Sequence, residues 1–83
     1  MAITTYYIVQ AFSMKRGRLS GERAEAVQSL KAAEGLARRL SEKKPAVLAF
    51  SRTGDPENDE FEPAVVIAKY GDVPDEALEA LSA

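Results

Sequence analysis

Cysteine, histidine and tryptophan are all missing from this 83-residue sequence, and the first two absences close whole classes of chemistry. Without cysteine there is no disulfide framework to stiffen so small a chain and no thiolate to hold a metal. Without histidine, the Ser–His and Cys–His nucleophilic arrangements, imidazole metal sites and zinc catalysis go as well. Long apolar runs are also lacking. The longest, Pro45 to Phe50 and Pro63 to Ala68, are strand-sized and far short of the about 20 residues that span a membrane as a helix. The opening Met1-Ala2-Ile3-Thr4-Thr5-Tyr6-Tyr7 has no basic stretch leading into an apolar one, so no signal peptide is read there and a cytoplasmic location is expected.

What is present points to an ordinary globular chain. Hydrophobic residues make up 46% and charged residues 29%, a composition that folds rather than staying disordered. Residues 1–83 read as a single domain near the lower size limit, where little surface is buried and a partner subunit is a natural supplement to a thin core. The net charge of −2 is unevenly spread, with nine Lys/Arg and four Asp/Glu in residues 1–50 but two and nine in residues 51–83. Such segregation fits a charged contact surface; solvated faces that separate by sign are the simpler reading.

Ile3 to Phe12, ITTYYIVQAF, is dense in β-branched and aromatic residues and predicts a strand. Both of its alternating faces, Tyr7/Val9/Ala11 and Tyr6/Ile8/Phe12, are largely apolar, so one of them is expected to await a partner. Met14 to Gly21 reads as a basic turn with two glycines permitting positive φ. Residues 22–28 fit either the start of a long helix or a short edge strand before a Ser29 cap, and the second is preferred. Leu30, Ala33, Leu36, Ala37 and Leu40 follow helical spacing, and Pro45 ends that helix.

Val47 to Ser51 and Ala64 to Tyr70 predict a strand hairpin with a long polar loop from Arg52 to Glu62, followed by a final helix begun by Asp72 and Pro74. The whole is an α+β domain, a small antiparallel or mixed sheet of three to four strands in a β-α-β-β-α core, backed by one main helix. A crossover making the first and second main strands parallel, with the third between them, gives order 1-3-2, half of a ferredoxin-like fold.

No catalytic, cofactor-binding or metal-binding residues are assigned, and the chain is expected not to be an enzyme. The acids Asp55, Glu57, Asp59, Glu60 and Glu62 lie on a loop with no rigid placement for acid–base work. As a calcium loop the run fails, because Glu60 stands where glycine is needed and Val66 where the bidentate glutamate belongs. Gly17 and Gly21 match no phosphate-binding pattern. Arg52 is expected to pair with Asp55 or Glu57 and hold the loop's shape.

YYIVQAF near the start, VLAFSRTGDP in the middle and YGDVPDE near the end resemble segments of short, uncharacterised bacterial proteins, a likeness that covers most of the chain and implies no activity. A weaker likeness, in the strand–helix–strand order and the YYIVQAF opening, is to the SPOR domain and would imply peptidoglycan binding.

The residues themselves favour a protein-interaction module that contacts an unidentified protein partner. Self-association as a homodimer through a sheet edge or apolar face is included, with Tyr6, Ile8 and Phe12 on that face and Arg52 and Asp55 on a displayed loop. One alternative is single-stranded nucleic-acid binding through Lys15, Arg16 and Arg18 beside Tyr6 or Tyr7, although the RNP1 pattern is absent. Another is an accessory subunit docking by its acidic hairpin loop.

Overall fold

The stiff, β-branched opening segment is extended from Thr4 to Lys15 as strand β1 in the computed structural model, which describes residues 3–81. Arg16 and Gly17 then reverse the chain with φ of 53° and 79°. Two consecutive left-handed residues make the hairpin turn whose twist matches that of its strands. Gly17 therefore has the positive φ expected of it, whereas Gly21 does not. The return is strand β2, Arg18–Gly21, with Arg18 opposite Lys15.

The 22–28 segment is an edge strand. Strand β3, Glu25–Val27, pairs with the same side of β1, further back at Tyr7–Val9. Helix α1, Leu30–Ser41, follows, and the Ser29 side chain accepts from the Ala32 N–H at 3.0 Å as its N-cap. Arg38 and Arg39 complement its negative end. Beyond the helix, Lys44 pairs with Glu22 at 2.8 Å and ties the connection to the β2 side of the sheet. Strand β4, Ala46–Asp55, turns into the two-residue β5, Glu60–Phe61, and then into β6, Val65–Gly71; helix α2, Asp75–Leu81, ends the described chain.

Six strands form one sheet in which β1 and β4 are the central neighbours, with β2 and β3 outside β1, and β5 and β6 outside β4. Every pairing is antiparallel. This corrects the expected topology. The predicted 1-3-2 order placed β6 between parallel β1 and β4; instead β1 and β4 pair directly, from Thr4 with Gly54 to Phe12 with Ala46, and β6 lies outermost. The cause is β3. Because the chain has already turned back along β1 through β2 and β3, α1 connects β3 to β4, two strands that run the same way with β1 between them. The crossover exists but begins at β3 rather than at β1.

Nor does one helix back the sheet. Helix α1 covers the face of Val9, Ala11, Val47 and Ala49 with Ala33 and Ala37, while Ala77, Leu78 and Leu81 of α2 pack over Phe12, Ala46, Leu48 and Phe50 on the other. The continuous burial of Ala46 to Phe50 is what a strand covered on both faces requires.

Candidate interaction surface

Residues Tyr6, Ile8 and Phe12 share the α2 face of β1, and α2 covers them unequally. Phe12 is 3% exposed, enclosed with Leu48, Phe50, Val73 and Leu81, so the expectation that it belongs to an uncovered face is wrong. Its physical role is core. Ile8 is half-buried against the same cluster. Tyr6 alone stays open, at 37% exposure, with its ring tilted against Phe61 at a centroid distance of 6.3 Å.

The acidic segment is also rearranged. Strand β4 runs on to Asp55, so most of the expected long loop is a β4–β5 hairpin with its turn at 56–59. Asp55 is 3% exposed. One of its carboxylate oxygens accepts the Glu57 N–H at 3.0 Å, and the other accepts the Asn58 side-chain amide at 2.7 Å. This is a turn-forming aspartate, and its burial removes it from any displayed contact surface. Arg52 does not hold the loop; the one ion pair among the described residues is Lys44–Glu22. Arg52 instead sits half-buried across from Tyr6, while Thr5 and Thr53 share a hydroxyl hydrogen bond of 2.9 Å nearby. Among the described residues no three acidic side chains converge on a cation site.

The basic residues Lys15, Arg16 and Arg18 are exposed at the tip of the β1–β2 hairpin. Tyr7 is half-buried against the α1-side core, and Tyr6 points to the opposite face. From Tyr7 to Lys15 the strand covers roughly 26 Å at about 3.3 Å per residue, along a molecule 44 Å in its longest dimension. The tyrosines and the basic turn therefore form no common surface. Of the charges that segregate in the sequence, Lys31, Arg38 and Arg39 lie on α1 with Glu34, and Lys43 and Lys44 just after it, whereas Asp72, Asp75, Glu76 and Glu79 lie in and before α2.

Two sheet edges remain. The β2/β3 edge is short, interrupted at residues 22–24 and flanked by Arg18, Arg23 and Glu25, a composition that discourages further pairing. Among the described residues the seven-residue β6 is paired on one side only, with β4. Val65 on it is 63% exposed and Val66 47%, and Tyr6 and Phe61 lie open at the same end of the sheet. Sequence reasoning took Val65 and Val66 for interior strand residues, and nothing local distinguishes them. Their exposure follows from the outermost position of β6, which only the topology reveals.

No described helix is long and apolar enough to cross a membrane. Neither a protein-family model, nor a curated protein, nor a solved structure matches this chain.

Proposed function

We propose that this chain is a non-enzymatic protein-interaction module that works by strand addition at the free edge of β6, self-association included. The observation that carries the reading is the edge itself: among the described residues β6 pairs with β4 alone, which leaves the outward backbone donors and acceptors of alternate residues open, and its first two residues are exposed valines. An open apolar edge is a template for another strand, main-chain hydrogen bonds supplying affinity and the flanking side chains specificity. Two exposed β-branched residues in succession are an unusual expense for a chain with so thin a core, and a contact surface accounts for them.

Sedimentation equilibrium over a wide concentration range, at low and moderate salt, tests this with the native chain and a Val65→Lys/Val66→Lys variant. Association that is insensitive to salt and lost in the variant is the expected result. A native chain that stays monomeric throughout, or a variant that associates as well as the native chain, rejects edge-mediated self-association.

A further inference from the structure

The register between β4 and β6 contains an irregularity that bears on which strand β6 is built to accept. Ala68 lies opposite Ala49 and Val66 opposite Phe50, so Ile67 is an extra residue, a bulge, on β6. Ile67 and Ala68 consequently both pack toward the α1 side of the sheet, as does Tyr70. Val65, opposite Ser51, shares that side, whereas Val66, opposite Phe50, and Lys69, opposite Leu48, face the α2 side. Ala64 and Gly71 close the pattern on the α2 side, Ala64 packing there and Gly71 lying opposite Ala46. Read along the strand from Val65 to Tyr70, the two faces form a palindrome centred between Ile67 and Ala68.

From this we infer that the partner is a second copy of this chain, joined by antiparallel β6–β6 pairing about a twofold axis between Ile67 and Ala68. Strands that continue a sheet must place directly opposed side chains on the same face. Centred there, Ile67 meets Ala68 of the second copy, Val66 meets Lys69 and Val65 meets Tyr70, all face-matched; the ladder ends there, because the Ala64 N–H already donates to the Leu81 carbonyl at 3.4 Å. Centring on Val66 leaves only Val65 opposite Ile67 before β6 ends, and centring on Lys69 fails once Ile67 meets Gly71. The second failure arises because the bulge breaks the alternation. A bulge on an edge strand ordinarily turns the edge away from neighbours; this one selects a single self-complementary register.

Charge agrees with that register. Lys69 is the only charged residue from Ala64 to Gly71. Its apolar stem lies along the opposing Val66 while its head reaches solvent. The two Lys69 backbone positions are offset along the strand by the two residues that separate Leu48 from Phe50, about 7 Å, which keeps the ammonium groups out of direct opposition. Centring on Lys69 instead opposes them directly. The ladder is small against the about 800 Å² a partner that stable dimers bury, so the dimer forms at high protein concentration.

This inference rests on the edge-pairing reading, and cysteine cross-linking separates their failures, because the chain supplies no thiols of its own. Single variants Val66→Cys and Lys69→Cys are oxidised alone and as an equimolar mixture, with sedimentation run in parallel. Opposed residues lie within the about 7 Å that a disulfide spans, whereas each residue and its own symmetry mate do not. Covalent dimer is expected in the mixture at several times the yield of either variant alone, and is expected to disappear when Val65→Lys is added to both chains. Efficient cross-linking of Val66→Cys alone or Lys69→Cys alone, with edge-dependent association intact, overturns the register while leaving the edge reading standing. Absence of association by sedimentation overturns the register and edge-mediated self-association alike.

Discussion

Replacing Phe12 with alanine distinguishes a core residue from a contact residue, the two roles its sequence context allows. The ring is 3% exposed and enclosed by Leu48, Phe50, Val73 and Leu81, all four contributed by β4, α2 and the segment before α2 rather than by anything local. Truncating a phenylalanine so enclosed costs about 3–5 kcal/mol. A domain of this length has roughly 4–12 kcal/mol in all, at about 0.05–0.15 kcal/mol per residue, so the variant loses about a quarter or more of its stability. With an unfolding entropy of about 2.1 cal/mol/K per residue, a loss near 4 kcal/mol lowers the midpoint by about 20 °C. Urea and thermal unfolding report it by circular dichroism and by tyrosine fluorescence, since no tryptophan is present. Helix α2 has seven residues, too few to persist alone, so its signal is expected to vanish in the same transition. Phe12→Leu, which retains most of the volume, should cost under about 1.5 kcal/mol. A Phe12→Ala variant that loses less than about 1 kcal/mol, yet changes its state of association, refutes the enclosure of this ring and returns Phe12 to the contact surface.

Two other substitutions probe turns. Asp55→Ala removes both acceptors of the 56–59 turn and should cost about 2 kcal/mol by thermal melting, while Asp55→Asn should cost about half that, because its carbonyl keeps the Glu57 N–H and the Asn58 amide can rotate to accept from the new side chain. Equal losses for the two variants refute the hydrogen-bonding account. Gly71 ends β6 at φ 72°, and a Cβ there meets the Pro45 carbonyl oxygen; Gly71→Ala is expected to lose at least about 2 kcal/mol in urea unfolding, and a neutral result shows that the strand end relaxes freely.

Local features were legible in the sequence, and long-range ones were not. The density of β-branched and aromatic residues marked β1, the helical spacing from Leu30 marked α1, and the serine at position 29 marked its cap, because each signal lies within a few residues. Residues 22–28 leaned toward a strand for the same reason. The order of the strands depends on which segments meet across the sheet, and a hydrophobic pattern names a buried face without naming what buries it. That is why Phe12 was assigned to an open face: its burial comes from Val73, Leu78 and Leu81, which follow it by some sixty residues. Asp55 shows the converse. In a run of acids it looks displayed, and only the turn geometry around Glu57 and Asn58 draws it inward. Of the contact surface, Tyr6 was visible beforehand; Val65 and Val66 became visible with the placement of β6.

The direct pairing of β1 with β4 also governs how quickly the chain organises. Thr4 meets Gly54 and Phe12 meets Ala46, so the longest ladder in the molecule joins segments tens of residues apart. The β1–β2 hairpin around Arg16 and Gly17 closes locally, on a scale of about 1–10 μs, but the entropy of bringing β4 to β1 precedes any gain from that ladder. Until β4 docks, β1 is flanked on one side only, while β4 and β6, neighbours in sequence, can already pair with each other. Docking of β4 on β1 is therefore expected to be the slowest step, and until it occurs the facing edges of β1 and β4 stay open.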